Sequence, residues 1–242
     1  MSFETQKSES GPFFKCSILS HTLLTHKLHS IVISNPEYFT YKAGQYIKLY
    51  LDDGTFRLYS IANAPNLHYL ELHIQEPNHD NFLKNFLLTL KINQTLFISN
   101  SMGKLVCSPN INHPTLLIAG GYAFAPLKAI IENLYMKEDV NFPVYLYWGI
   151  STILDVYYHK ELKKIKEDVD WFNYQLILSH YDNQWKGDIG KLGDFIFRDF
   201  NNLEDFNMYV CGSKTMVKDI YDKALQNNLM PSHFYSDYDL EA

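Results

Sequence analysis

Two different rhythms of hydrophobic and polar positions follow one another along the chain. The first hundred residues contain short runs of β-branched and aromatic residues separated by turn signals, which is typical of a small antiparallel barrel or sandwich. These runs predict strands at residues 13–19, 27–34, 45–51, 56–62, 69–75 and 95–98. Asp52-Asp53-Gly54 predicts a hairpin turn, because Asp and Gly tolerate the positive φ of a tight turn. One amphipathic helix is predicted at residues 81–90.

After about residue 110 the pattern changes to strands that alternate with helices, which favours a parallel sheet covered on both faces. The predicted strands are 115–119, 144–148, 174–178, 208–211 and 232–235, and the predicted helices are 125–136, 155–167, 191–200 and 215–227. Ser108-Pro109-Asn110 and His113-Pro114 interrupt regular structure between the two patterns. The sequence therefore predicts an N-terminal antiparallel β-barrel domain, residues 1–109, followed by an α/β parallel-sheet domain, residues 110–242.

Composition excludes several classes of function. The 242 residues carry a net charge of -6 without a basic block, so nucleic acid is not expected as a partner. The three cysteines are dispersed and lack metal-binding spacings, which predicts no disulfide framework and no metal site. Residues 1–11 lack a signal pattern, and no apolar run reaches the ~18 residues of a membrane span. A cytoplasmic protein that does not enter membranes is expected.

A strand, two glycines and a helix follow one another in the stretch from Leu117 to Pro126. Open parallel sheets bind ligands at the carboxyl ends of their strands, and a helix N-terminus offers free N–H groups to phosphate oxygens. Because Gly120 and Gly121 lack a Cβ atom, a ligand can approach the backbone closely. The segment predicts a nucleotide loop, and a strand-to-helix turn without a ligand is the alternative.

Arg57, Leu58, Tyr59 and Ser60 form a second candidate site on a barrel strand. Alternation sends Arg57 and Tyr59 to one face and Leu58 and Ser60 to the other. An Arg can hold a phosphate, an aromatic ring can stack on a flat heterocycle, and a hydroxyl can bond its nitrogen.

The third candidate is the strand, small residues and helix around Cys211, Gly212 and Ser213. A compact thiol at the carboxyl end of a strand could pack against a nicotinamide ring. A buried structural cysteine is the alternative interpretation.

Along the chain the Arg57 motif comes first, the Gly120 motif second and the Cys211 motif third, with Tyr145–Gly149 between the last two. In this order and spacing they resemble the ferredoxin–NADP reductase superfamily, and most closely its short bacterial NAD(P)H:flavin reductases. The likeness spans about residues 13–237 and includes the W-x-G-x-x-G stretch of residues 185–190. The resemblance implies a flavin site formed by Arg57, Leu58, Tyr59, Ser60, His73 and Ile74. It implies a nucleotide loop formed by Gly120, Gly121 and Tyr122. It places the nicotinamide beside Cys211, Gly212 and Ser213. It also implies that the Ser60 position bonds flavin N5, and Ser60 and Cys211 are predicted to act in catalysis.

The resemblance implies an NAD(P)H-dependent flavin reductase that passes a hydride from nicotinamide C4 to flavin N5. Three departures refine this prediction. The loop has Tyr122 and Ala123 where the family has Thr and Gly, and Ser151 replaces an Arg that pairs with phosphate, which favours NADH over NADPH. Asp80 lies where a diphosphate would sit and would repel it, so FAD, FMN or riboflavin is expected to be loosely bound.

Two alternatives remain open at this point. One is a flavin-containing electron-transfer subunit that passes electrons to an acceptor protein, and the other is a degenerate flavin-binding module without turnover, suggested by Tyr122, Ala123 and Ser151. His73 has two interpretations, a residue that orients the flavin edge or a structural histidine.

Overall fold

The computed structural model describes residues 13–65, 67–107, 113–137 and 139–238. The predicted domain boundary between residues 109 and 110 lies outside the described residues, as does the N-terminal stretch of residues 1–11. The predicted domain limits therefore stay a prediction.

The first half is the antiparallel barrel that the alternating pattern predicts. Its strands are β1 (Phe14–Leu23), β2 (Leu28–Ser34), β3 (Tyr46–Tyr50), β4 (Phe56–Ser60), β5 (Tyr69–Gln75) and β6 (Thr95–Ile98). They are ordered β4-β3-β6-β1-β2-β5, and a bridge between Ile61 and Leu72 joins the two outer strands. Alternate residues, such as Leu70, Leu72 and Ile74 of β5, are fully buried in the barrel core. The period-two pattern thus fixes which face of each strand meets the core.

Local turn and cap chemistry agrees with the sequence. Gly54 has a φ of +81° in the turn between β3 and β4, and its N–H donates to the Leu51 carbonyl at 3.0 Å. Helix α1 (Asn81–Thr89) begins after Asp80, whose Oδ1 accepts from the Leu83 N–H at 3.0 Å. This bond satisfies one of the free N–H groups at the helix start.

The second half is a six-stranded parallel sheet with helices. The strands are β7 (Thr115–Gly120), β8 (Val144–Ile150), β9 (Phe172–Leu178), β10 (Asp188–Ile189), β11 (Asn207–Cys211) and β12 (Phe234–Tyr235). The helices are α2 (Ala125–Tyr135), α3 (His159–Asp168), α4 (Leu192–Asp199) and α5 (Lys214–Gln226). The order β10-β9-β8-β7-β11-β12 places β7 between β8 and β11. The chain leaves β7 in one direction and later returns on its other side, so a crevice opens beyond Gly120.

Several boundaries differ from the prediction, among them the end of β1, at Leu23 rather than residue 19, and the start of β9, at Phe172 rather than residue 174. Helix α3 begins at His159 rather than at Asp155, because Asp155 closes a short 3₁₀ turn with Thr152 and Tyr158 has a φ of +59°. The last strand is shorter than predicted, because Pro231–His233 form a 3₁₀ turn before it. The two-residue strand β10 was not predicted, since two residues carry no detectable period. Within the described part of the chain, the helices are all too short or too polar to span a bilayer.

Candidate functional site

A cleft separates the barrel from the parallel sheet, at the crevice beyond β7. Its larger lobe measures about 780 Å³ and its smaller lobe about 240 Å³. The two lobes share Tyr59, His73, Tyr122, Ala123 and Gly212. We call these two lobes together the interdomain cleft. Both domains contribute to it, as two ligands held face to face would require.

Strand β4 forms the barrel wall of the interdomain cleft. Tyr59 lines both lobes and packs against the barrel core, and burial raises the pKa of its hydroxyl, so the ring is neutral. Leu58 and Ser60 line the smaller lobe together with Cys211. The half-buried Ser60 hydroxyl makes no hydrogen bond to any other described residue. It therefore remains available to a ligand.

Arg57 is held away from the cleft by Asp80. Its Nη2 and Nε donate to Asp80 Oδ2 at 2.6 and 3.1 Å, and Nη1 donates to the Thr55 hydroxyl and the Phe56 carbonyl. The Leu83 N–H and the Arg57 guanidinium hold the pKa of Asp80 below its usual range. The carboxylate predicted to repel a diphosphate instead neutralises the nearest guanidinium.

Strand β5 places its two predicted residues on opposite faces. His73 lines both lobes, although only 1% of its side chain is exposed. Ile74 is fully buried in the barrel core and its side chain does not line either lobe, so its place in the flavin site stays a prediction. Alternation along β5 is the reason, and the same pattern brings Glu71 to the His73 face.

The nucleotide loop leaves β7 through two glycines. Gly121 has a φ of +58° and its N–H donates to the Gly149 carbonyl at 2.7 Å, while Trp148 Nε1 donates to the Gly121 carbonyl at 2.8 Å. A Cβ atom on Gly120 or Gly212 would collide with the Met216 thioether. The Met216 thioether is the end of a flexible side chain that could shift, so packing alone does not demand glycine at either position. Both glycines line the larger lobe, where the absence of a side chain leaves the backbone open to a ligand.

Tyr122 connects the nucleotide loop to the barrel. Its hydroxyl donates a short hydrogen bond to the Asp155 carboxylate and lies 3.3 Å from the Thr25 hydroxyl of the barrel. The Thr152 N–H and hydroxyl bind the other oxygen of Asp155. The large ring that departs from the family pattern is thus fixed within the cleft wall rather than left loose.

Cys211, Gly212 and Ser213 end β11 and begin α5. Cys211 is 8% exposed and lines the smaller lobe, and burial holds the pKa of its thiol well above the usual value, so the sulfur is uncharged. The Ser213 side chain accepts from the Met216 N–H at 3.2 Å and caps α5. Of these three residues, Cys211 and Gly212 line the smaller lobe together with Ser60.

Asp237 is a cleft residue that the sequence did not indicate. Its carboxylate accepts from the Lys104 and Leu105 N–H groups at 3.2 and 3.4 Å, and burial raises its pKa. It lines the smaller lobe with Ser60 and Cys211. No local motif surrounds it, and only its place in the folded chain brings it to the site.

A second groove of about 630 Å³ runs along the strand ends and shares Gly120, Gly121, Ser151 and Ser213 with the larger lobe. Gly190, at the end of the W-x-G-x-x-G stretch, lines it. The groove contains two lysines and two carboxylates, which are Lys191, Lys223, Asp194 and Asp219. The expected preference for NADH considered only residues near Ser151 and missed both lysines. The charges lining this groove favour neither nucleotide.

Two buried histidines lead to a prediction about acid stability. Burial lowers the pKa of His29 and His73 below 6.5, so the folded chain keeps both rings neutral where the unfolded chain takes up protons. Their contribution is complete above about pH 7 and is lost as the pH falls through 6.5. We expect a lower melting temperature at about pH 5.5 than at about pH 7.5, measured by circular dichroism.

A His79→Gln variant, altered at an exposed site, is the matched control and should keep this pH dependence. A His73→Gln variant should lose part of it. Equal melting temperatures of the parent protein at the two pH values would contradict the prediction.

Comparison with known proteins agrees with this geometry. A model of the oxidoreductase NAD-binding domain matches residues 117–222. The chain is 29% identical over 231 residues to a probable flavin reductase of Photobacterium leiognathi, covering 93% of this chain and 97% of that one. It is 30% identical over 210 residues to a probable flavin reductase of Vibrio harveyi, covering 84% and 88%.

Two further proteins are similar over most of this chain. Reductase component 1 of the terephthalate 1,2-dioxygenase of a Comamonas species is 27% identical over 240 residues, which cover 98% of this chain and 71% of the relative. The fold also matches a ferredoxin NADP+ reductase of Neisseria gonorrhoeae with bound FAD and NADP. The TM-score is 0.75 at 23% identity, and the match covers 90% of this chain and 92% of that one.

Proposed function

The chain belongs to the ferredoxin–NADP reductase superfamily of oxidoreductases, and from this premise we propose that it reduces free flavin with NAD(P)H. The observation that carries the proposal is the interdomain cleft. There the Tyr59 ring and the uncommitted Ser60 hydroxyl of the barrel line the same cleft as Cys211, Gly120 and Gly212 of the nucleotide domain. One wall suits a flat heterocycle, and the other suits a nucleotide that approaches the backbone.

The residues present fit both groups. When bound, the nicotinamide supplies a hydride from C4 and the flavin accepts it at N5. The chain holds the rings in place and excludes water, which is what hydride transfer requires of a protein. Tyr59 offers a ring for stacking, Gly120 and Gly212 allow close approach, and the Ser60 hydroxyl can bond the accepting nitrogen.

The state of Arg57 supports a loosely held flavin. Its guanidinium is paired with Asp80, so a phosphate of FMN or FAD would have to compete with a carboxylate already bound at 2.6 Å. The isoalloxazine and ribityl parts, which riboflavin also has, would then provide most of the binding energy. Flavin would enter as a substrate and leave reduced.

The test is the visible spectrum of the purified protein, followed by NADH and NADPH oxidation with and without riboflavin, FMN and FAD. We expect a protein with little bound flavin whose nucleotide oxidation depends on added flavin. Oxidation of neither nucleotide with any flavin would refute the proposal and favour a module without turnover. A yellow protein that is active without additions would refute loose binding.

The alternative of an electron-transfer subunit differs only in where electrons leave the reduced flavin. The similarity to a dioxygenase reductase component is the observation that favours it. Such a subunit would retain its flavin during gel filtration and reduce an acceptor protein faster than free flavin.

A further inference from the structure

A buried ionic cluster joins the two domains behind the interdomain cleft. Lys128 of α2 is 4% exposed. Its Nζ lies 2.8 Å from Glu71 Oε2 and donates to the Ala62 carbonyl at 3.0 Å, and both of these partners belong to the barrel. Glu132, one turn further along α2, lies 2.8 Å from the same Nζ and accepts from the Ala64 N–H at 3.1 Å. We call these five residues the interdomain clamp.

The charges of the clamp fix the direction of its hydrogen bonds. Burial alone would raise the pKa of Glu71, but the His73 ring and the Lys128 charge outweigh it and hold that pKa well below the usual value. Glu71 is therefore a carboxylate, and it accepts from His73 Nε2 at 3.0 Å and from the Ser30 hydroxyl at 2.7 Å.

His73 extends this directed chain to the nucleotide domain. Because its Nε2 carries the proton given to Glu71, its Nδ1 accepts from the Tyr157 hydroxyl, 3.2 Å away. Both ring nitrogens are thus used within the protein. His73 lines the cleft as a fixed wall and not as a proton donor to a ligand.

The residues of the interdomain clamp lie close in sequence to the residues that line the interdomain cleft on both sides. Ala62 follows Ser60 by two residues, and Glu71 precedes His73 by two residues on β5. Lys128 lies in the first turn of α2, the helix that directly follows the nucleotide loop. Its N–H donates to the Phe124 carbonyl at 2.9 Å. Rotation of one domain against the other would stretch several buried charge-assisted bonds at once.

We propose that Lys128 is a positioning residue for hydride transfer, since the clamp sets the separation between the flavin wall and the nucleotide wall. This inference rests on the proposed function. An apolar side chain could fill the same space, but it would leave the angle between the domains to loose packing. The two bonds from the ammonium to the barrel, together with the bond from the Ala64 N–H to Glu132, specify a single arrangement. A displacement of about 1 Å between reacting groups can lower a rate about 100-fold.

The experiment compares the parent protein with an uncharged triple variant, Lys128→Met with Glu71→Gln and Glu132→Gln. The triple change avoids leaving two partly buried carboxylates without their ammonium partner, which would destabilise the folded protein. We expect kcat to fall about 10- to 100-fold, while the Kd of riboflavin, measured by fluorescence quenching, stays within about threefold. The deuterium isotope effect with C4-labelled NADH should rise as hydride transfer becomes rate-limiting.

Lys163→Met is the matched control, because this lysine is two-thirds exposed and has only a long 3.9 Å pair with Glu167. It should keep the parent kcat and isotope effect. If the triple variant melts at a lower temperature but keeps both, the clamp is only structural and the inference is refuted. Loss of kcat together with riboflavin binding would also refute it. A parent protein without flavin-dependent oxidation would refute the proposed function instead.

Discussion

A Ser60→Ala variant is expected to lower kcat for riboflavin reduction by about 10- to 100-fold while changing the KM for NADH little. Ser60 lines the smaller lobe together with Cys211, and its hydroxyl makes no hydrogen bond to any other described residue. Its hydrogen bond to N5 would strengthen as charge develops on the ring, so its loss would affect the rate more than ground-state binding. Stopped-flow measurement of flavin bleaching under anaerobic conditions gives the rate directly.

Ser101→Ala is the control for that variant, because the Ser101 hydroxyl donates to the Thr40 carbonyl and does not line the interdomain cleft. It should reduce riboflavin at the parent rate. Unchanged bleaching in Ser60→Ala would remove the hydroxyl from the proposed mechanism, although the flavin could still lie on β4.

An Asp80→Asn variant is expected to bind FMN about 10-fold more tightly than the parent and to bind riboflavin as before. Asn keeps an oxygen for the cap of α1, but it releases the charge that occupies Arg57. The freed guanidinium can then pair with the phosphate that FMN has and riboflavin lacks. Fluorescence titration at low ionic strength measures both dissociation constants, and added salt should reduce the gain.

Glu76→Gln is the matched control, because it removes a neighbouring carboxylate that pairs with Lys84 at 2.7 Å and leaves Arg57 paired. Its ratio of FMN to riboflavin affinity should equal that of the parent. If Asp80→Asn shows the same ratio too, Arg57 does not lie at the phosphate end of the flavin.

The sequence predicted most of the fold, because each element carries its own period and its own ends. Asp52-Asp53-Gly54 turns as expected, and the switch from barrel strands to alternating strands and helices corresponds to the two sheets. The predicted start of α3 was wrong, because a capping box at Thr152 favours a short 3₁₀ turn where the helix was expected. The period of hydrophobic residues does not show such local competition.

The site was only partly predictable. Period two along β5 separates His73 and Ile74 onto opposite faces, so alternation alone distinguishes the residue that lines the cleft from the one in the core. The pairing of Lys128 with Glu71 joins residues 57 positions apart, and Asp237 meets Leu105 across 132 positions. Such contacts depend on how two domains dock. No local pattern of hydrophobic and polar residues encodes that docking.

Strand β4 lies at the outer end of the barrel sheet and pairs along its length with β3 alone. Its other flank is tied to β5 by the Ile61–Leu72 bridge next to Ser60. A strand supported on one side opens at a lower free energy than a central one, so the flavin wall on β4 is more prone to local unfolding than the central strands of the barrel. Molecules in which β4 is open cannot hold the flavin, so this opening lowers the apparent affinity. A lower affinity suits a protein that exchanges its flavin at every turnover.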